Sequence, residues 1–477
     1  MKNLLVLGLG VLLGLVILAG CSDVPPTGIP PESSPPAIQS LHVSPMNVIG
    51  GSTVTVVANV GETNDADYNY EWSISSGVLI GSVSGPQVLW TTPESGSVEF
   101  ITCRIHNASG NDEVTSHVFL ASQEAPTSTA VYRIESYSSN YIRDAAPAAD
   151  GGCYIAGSEY EWFGSDWLAK LSAEGAVRWE IAFESAFFQG NLKVGGTPDG
   201  GCIVSGLTDS EVSYLETAVV KFSGSGDTLW AVDTGSDSRW VDLDVYEDGS
   251  CLMLGVNAEG YELMRLADYG EIQQQLSIIC SDDPWMNYTD LNIAATSDGG
   301  YALSKVGSIG ESGITTSTLL KLAADGSIVW TKQYGSRDRA VEIRDVLDSK
   351  SGYIIAVGAE WSYKADSSRN YDLLIEAYDY SGNTLFVRHF PDVDAVWSTI
   401  DEFADGSFGV SAGGHTTCAM LTFDGAGNLL WLKEQELSSY VTGIHSIWKQ
   451  SGAFFVLSGA QYDTELAPGF LLKLGWE

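Results

Sequence analysis

A chain of 477 residues, 44% hydrophobic and 18% charged, is too long for one small core and too apolar for extended disorder. Its 61 Asp+Glu against 23 Lys+Arg leave a net charge of −38, which argues against nucleic acid or anionic lipid head groups as partners. Such a surface suits cations, basic partners or neutral sugars, or serves only solubility in a salty or extracellular medium. Abundant glycine (52 residues) and alternating β-branched patterns point to an all-β protein.

The N-terminus, MKNLLVLGLGVLLGLVILAGCSD, carries basic Lys2 and then an uncharged apolar run from Leu4 to Leu18. A run this short is a signal-peptide core, not a spanning helix. The ending Leu18-Ala19-Gly20-Cys21 resembles the bacterial lipobox. That resemblance implies removal of residues 1–20 and acylation of Cys21, with lipid chains anchoring the protein to a bacterial membrane without a span. The competing reading is an ordinary signal peptide with an incidental cysteine. Ser22 follows Cys21, so no inner-membrane retention signal is evident if the host has two membranes. Residues 21–37 comprise Cys21 and a Pro- and Ser-rich tether, SDVPPTGIPPESSPPA (22–37), that lifts a domain off the membrane. The expected location is the cell envelope, on the outward or periplasmic side.

Residues 38–122 read as one unit of about seven short strands, which suits a β-sandwich. STVTVVANV and VEFITCRIHNA alternate apolar and polar residues. YNYEWSIS and FITCRIHNASGNDEVTSHVFL resemble Ig-like and PKD-type domains of bacterial surface proteins. The inter-sheet disulfide common in such sandwiches is missing: Cys103 has no partner, and Val56 stands about where one would be. Trp72 is then expected as a core anchor. Residues 123–128, QEAPTS, form a short linker.

From 129 to 477 the chain repeats. Turn phrases recur at 150 (DGGC), 199 (DGGC), 248 (DGSC), 298 (DGGY), 351 (SGYI), 405 (DGSF) and 451 (SGAF), 46–54 residues apart. After each turn comes an apolar strand, a loop, and a second apolar strand: WLAKL, AVVKF, ELMRL, TLLKL, LIEAY, AMLTF and FLLKL. A glycine and, four residues on, Trp179, Trp230, Gln274, Trp330, Phe386 or Trp431 mark a third strand, and the run into the next turn is a fourth. Seven four-stranded units predict a seven-bladed β-propeller. The last unit lacks its outermost strand and STAVYRIES at the start supplies one, so the first strand is expected to close the ring. The phrases DGG(C/Y)xxxG, WLxKL and GxxxW are similar to repeats in secreted bacterial and archaeal propeller proteins, a resemblance that implies an architecture and no single activity.

Two residue sets are candidate sites. The tight turns fall on one face of the disc, and the longer, variable connections on the other. Tyr160, Trp162, Phe163, Trp240, Trp285, Tyr288, Trp361, Tyr363 and Trp397 lie on or beside those longer connections. They either form a face that stacks on sugars or anchors a protein, or plug gaps between loops. Six residues before each turn stand Asp144, Lys193, Asp242, Asn292, Asp345, Thr399 and His445, all polar. They predict a ring near the central channel, holding either a cation or small polar ligand, or only water. The register at Asp345 is open by one residue.

No HExxH, P-loop or EF-hand loop occurs, and no Cys/His cluster suits zinc. No catalytic residue, resident metal or cofactor is implied; DVYEDG (244–249) only faintly suggests calcium and falls on a hairpin. Cys153, Cys202 and Cys251 share a position that later repeats fill with Tyr301, Phe408 and Phe454, so they are expected as buried, unpaired thiols. The expected function is non-catalytic binding or scaffolding by a membrane-anchored envelope protein, with a protein or polysaccharide as partner and no nucleic acid. The alternative is a glycan-active hydrolase or lyase using acids at the channel mouth; a third reading is an assembly platform for envelope proteins.

Overall fold

The computed structural model describes residues 35–61, 68–134, 141–158, 166–183, 192–207, 218–234, 238–257, 260–279, 291–309, 314–336, 339–363, 369–414, 417–437, 440–461 and 469–476. The signal segment, Cys21 and most of the tether lie outside these residues. The described residues are all-β and fall into nine four-stranded sheets. None of their helices is long and apolar enough to cross a membrane.

Two sheets form the N-terminal unit. One orders the strands Ile38–Ser44, Thr53–Val60, Gln87–Thr91 and Val78–Ile80; the other orders Asn47–Ile49, Gly110–Ala121, Val98–Asn107 and Asn69–Ile74. Their alternating residues meet in one core: Val43, Val54, Val56, Val88 and Trp90 from the first, Ile101, Val118 and Leu120 from the second. Trp90, not Trp72, is the fully buried ring. Trp72 packs at the margin and donates its Nε1–H to the Gly85 carbonyl, 3.0 Å away. Cys103 is buried and free, and burial pushes its thiol up to about 11.

The other seven sheets follow one another along the chain. The first runs Tyr141–Pro147, Cys153–Ser158, Asp166–Leu171, Val177–Phe183, each strand antiparallel to the last. The next five repeat that order, ending at Leu429–Glu436. The seventh takes Tyr440–Gln450, Ala453–Gln461 and Gly469–Gly475, and its fourth strand is Ser128–Ile134 from the start of the unit. The first strand of each sheet contacts the first strand of the next, and that of the seventh contacts that of the first, so the sheets close a ring. This is a β-propeller layout, with the first strands innermost.

The repeated Asp-Gly-Gly is explained by geometry. Its first glycine takes a left-handed φ, +95° at Gly151 and +85° at Gly200. Its second glycine passes under the third strand: a Cβ on Gly152 or Gly201 would lie 1.8 or 2.2 Å from the carbonyl oxygen of Leu171 or Phe222. The outer aromatic joins neighbouring sheets. Trp179, Trp230 and Trp330 donate Nε1–H to the carbonyls of Gly224, Asp268 and Tyr380 in the following sheet, at 2.8–3.0 Å. Gln274 makes the same contact to Ala324 at 2.9 Å, which is why glutamine substitutes for tryptophan there. Between the sheets, Cys153, Cys202, Cys251 and Cys418 are buried and free. Burial raises all four thiols, Cys251 to about 12 and Cys418 to about 11.

The sandwich is docked on the propeller. Phe119 and Ala121 share an apolar cluster with Phe390, Val393, Leu429 and Leu432 of the fifth and sixth sheets. The linker is clamped: Ser122 and Gln123 donate their backbone N–H to Leu429 and Leu430 (3.1 and 2.8 Å), and Lys433 Nζ donates to the Pro126 carbonyl at 3.2 Å.

Candidate functional site

The polar set forms a ring on the innermost strands. Asp144, Lys193, Asp242, Asn292, Asp345 and Thr399 hold one register, each opposite the fourth residue of its second strand as counted from Cys153 and its equivalents. This settles Asp345 as the ring member of the fifth sheet. The seventh sheet departs from expectation: Ser446, not His445, holds the ring position, opposite Leu457. The cause is a shorter turn. Asp144 stands seven residues before its left-handed glycine (151 − 144), whereas Ser446 stands six before Gly452 (452 − 446), so counting back six lands one residue early. His445 sits instead in a β-bulge, as do Arg143 and Arg344 in the first and fifth sheets.

An innermost strand has one edge without a partner, and its N–H groups need acceptors. The ring aspartates supply them across the sheet boundary. Asp144 Oδ2 accepts the Val194 N–H at 2.8 Å and Asp242 Oδ2 the Ile293 N–H at 2.7 Å. Asp345 Oδ2 accepts both the Ile400 N–H (3.1 Å) and the Thr399 hydroxyl (2.8 Å). Thus the odd sheets one, three and five each bind the next inner strand, at the residue after its own ring member. Asn292 donates to Ser304 Oγ on the second strand of its own sheet, at 3.2 Å. Lys193 Nζ lies 3.6 Å from Asp242 Oδ1.

Enclosure dominates the electrostatics. Burial raises Asp144 to about 6 and Asp345 to about 7, partly offset by their hydrogen bonds and, at Asp144, by Lys193. Asp242 is raised for the same reason. Asp244 (about 6) and Asp401 (about 7), two residues along from the ring in the third and sixth sheets, extend the acidic wall. Burial opposes the charge on Lys193, but the fields of Asp144, Asp242 and Asp345 outweigh it and its pKa rises. His445 is pushed down to about 3 by burial and then by Lys193 and Arg143, so its imidazole is neutral at physiological pH. The channel wall therefore carries several carboxyls that change charge near neutrality, with one ammonium among them. It suits water or a small cation. Among the described residues, no group of three His, Cys, Asp or Glu side chains is placed to hold a metal. In the segment 244–249, Asp248 Oδ1 accepts the N–H and hydroxyl of Ser250 at 2.9 and 2.5 Å, and its Oδ2 lies 3.8 Å from the Arg265 guanidinium.

The aromatic set is not brought together by the described residues. Tyr160, Trp162, Phe163, Trp285 and Tyr288 lie outside them, and Tyr363 ends the strand Tyr353–Tyr363. Of the two readings of this set, a binding rim or rings that fill gaps, Trp240 and Trp361 take the second: they are core, 1% and 4% exposed. Trp240 packs over Gly255 among Ile203, Val219 and Met253. Trp361 donates to Glu342 Oε1 at 3.2 Å and tilts against Tyr371. Trp397 is half-buried beneath the Arg344 guanidinium, 5.4 Å from its ring.

One set of chemical groups escaped the sequence reading. Lys170, Lys221 and Lys321 are buried and pair with the turn aspartates Asp150, Asp199 and Asp298 at 2.8–2.9 Å. The signal was present: the Lys of WLAKL, AVVKF and TLLKL recurs with the Asp of DGG, and Arg265 with Asp248 is the third sheet's version, at 3.8 Å.

No protein-family model matches the chain, and no curated protein does. Solved structures similar to it include three propeller or uncharacterised chains. The WD40 domain of Neurospora crassa Pan2 shares 10% identity over 74% of this chain and 98% of its own, with a TM-score of 0.48. The β-propeller domain of the Trilobed protease of Pyrococcus furiosus shares 12% over 71% and 94%, with a TM-score of 0.40. A Bacteroides thetaiotaomicron protein of unknown function shares 11% over 93% and 98%, with a TM-score of 0.39. Likenesses this distant bring no activity or partner with them.

Proposed function

We propose that the chain is an exported, Cys21-anchored envelope lipoprotein in which an Ig-like or PKD-like sandwich carries a seven-bladed propeller, and that it binds or scaffolds without catalysis. Seven consecutive four-stranded sheets and the strand Ser128–Ile134 in the last support the blade count and closure. One observation carries the non-catalytic reading. Asp144 and Asp242, the acids an enzymatic channel mouth would use, are engaged by backbone N–H groups of the neighbouring sheets. Groups so engaged hold the ring together and are not presented to a substrate. The partner, a protein or a glycan, meets the face of longer connections, where Trp162 and Trp285 lie in the sequence.

The test uses the full chain expressed in a bacterial host. Labelled palmitate enters the protein and C21A abolishes its incorporation. W162A/W285A weakens binding to an envelope-polysaccharide panel or an envelope-protein fraction at unchanged melting temperature. Turnover of any polysaccharide, lost in D144N or D242N, would refute the non-catalytic reading. A glycan-active enzyme stays the second reading because burial raises Asp401 to about 7, a value suited to general acid–base work.

A further inference from the structure

The ring is closed by a pair of strands that no turn joins. In the first six sheets the third and fourth strands are consecutive and meet in a tight turn. Each turn carries a bond such as Gly175 N–H to the Ser172 carbonyl (2.9 Å), and its glycine takes a φ of +76° to +92°. In the seventh sheet the third strand is Gly469–Gly475 and the fourth is Ser128–Ile134, 335 positions away (469 − 134). A hairpin turn keeps its two strands together at small entropic cost. Strands this far apart along the chain meet only while the rest of the ring is folded. The fourth strand is also outermost, so one ladder alone ties it to its sheet.

The chain builds a substitute for the missing turn at the end where Ser128 stands opposite Gly475. Ser128 Oγ donates to the Gly475 carbonyl at 2.9 Å. Trp476, the next residue, donates its Nε1–H to the Glu124 carbonyl at 3.4 Å. Its ring meets Trp431 of the sixth sheet and Phe454 of the seventh edge-on, 6.3 and 5.6 Å between centres. In earlier seams the position beside the outer aromatic is filled by a turn glycine: Gly226, Gly270, Gly382 and Gly427 lie against Trp179, Trp230, Trp330 and Phe386 of the preceding sheet. Ala125 packs on the cluster that holds Trp431, Phe454 and Leu474, and Pro126 is buried with its carbonyl bound by Lys433. The sandwich sets the other end of this segment. Ser122 and Gln123 are held at Leu429 and Leu430, Asn47 donates its side-chain amide to the Leu432 carbonyl at 2.8 Å, and Phe119 lies in the apolar cluster of the fifth and sixth sheets.

We propose that residues 122–127 and Trp476 act as a non-covalent turn that closes the ring, and that the docked sandwich holds this turn in place. Docking of the sandwich and closure of the propeller are then one coupled event. Phe119 belongs to the cluster shared with the propeller and not to the sandwich core, so the sandwich can leave the disc and stay folded. When it leaves, the linker loses its hold on Leu429, Leu430 and Lys433, and Ser128–Ile134 frays from its Ser128 end. The six sheets built from consecutive strands keep their own turns. The coupling concerns closure of the disc and does not depend on what the protein binds.

The test is amide hydrogen exchange of the full chain, wild type against two variants. F119S/K433M removes the apolar anchor and the bond to Pro126. Exchange in 128–134 should rise about tenfold or more, and 122–127 should become cleavable by protease, while Cys202–Leu207 of the second sheet keeps its wild-type rates. W476A removes a ring that is 47% exposed and leaves Phe119 and Lys433 in place. It should speed exchange in 128–134 by about threefold without releasing the sandwich, and it carries the test alone if F119S/K433M does not fold. Wild-type exchange of 128–134 in both variants would overturn the proposal, because the ladder to Gly469–Gly475 would then hold by itself. Equal acceleration of Cys202–Leu207 would overturn it too, since the loss would be general and not at the closure.

Discussion

Lys193 is the ammonium set among the ring aspartates, and K193M tests whether it holds the channel together. Methionine keeps most of the volume of the lysine stem and removes only the charge. The ammonium is 3.6 Å from Asp242 and its field also acts on Asp144 and Asp345. Removing one partner of an enclosed ion pair costs about 3–5 kcal/mol. At about 2 °C per kcal/mol for a domain of this size, the melting temperature should fall by roughly 6–10 °C near pH 7.5. The loss should depend on pH. Asp144 and Asp345 have folded pKa values raised to about 6 and about 7 from 3.8. The folded state therefore binds more protons than the unfolded state between 3.8 and those values. Stability from these groups is fully present below 3.8 and is lost as pH rises through 6 to 7. Near pH 5 Asp144 and Asp345 are largely protonated in the folded state and Asp242 is shifted in the same direction, so deleting the ammonium leaves less uncompensated charge and the penalty should be smaller than at pH 7.5. Thermal melts of wild type and K193M at both pH values decide the matter. An equal drop at pH 5 and pH 7.5, or no drop at pH 7.5, would sink the reasoning.

Two further outcomes are expected. A thiol reagent added to the native protein near pH 8 should leave Cys153, Cys202 and Cys251 unmodified for hours and label them at once in denaturant; fast native labelling, read by mass spectrometry, would contradict their burial. F390A removes a fully buried ring that meets Phe119 at 5.9 Å and Phe423 at 5.6 Å between centres. It should cost about 3–5 kcal/mol and open residues 122–127 to proteolysis, whereas the wild-type linker resists; equal cleavage of both would mean that the docking contacts do not hold the linker.

The repeat was legible because its signals are local. Asp-Gly turns, period-two strands and the outer tryptophan lie within one sheet and recur along the chain, so counting them recovers the seven sheets. Even the closure followed from two truncated ends, which Ser128–Ile134 and Gly469–Gly475 join. The ring aspartates were found by the same counting, up to the seventh turn. There a single missing residue and the bulge at His445 moved Ser446 into place, a difference that only the pairing with Leu457 reveals.

What tertiary structure alone decided is which neighbour each side chain meets. Trp240 and Trp361 stand in sequence beside variable, polar connections, yet Gly255 and Glu342 give them places inside the packing. Lys193 reads as one lysine among seven polar residues until the ring brings three aspartates around it. The sandwich read as a separate unit on a short linker, yet Phe119 and Phe390, 271 positions apart (390 − 119), share one core. Strand periodicity and turn chemistry are properties of adjacent residues and survive in a one-dimensional reading. Burial, pKa and docking depend on residues brought together from distant parts of the chain, and only the folded chain defines them.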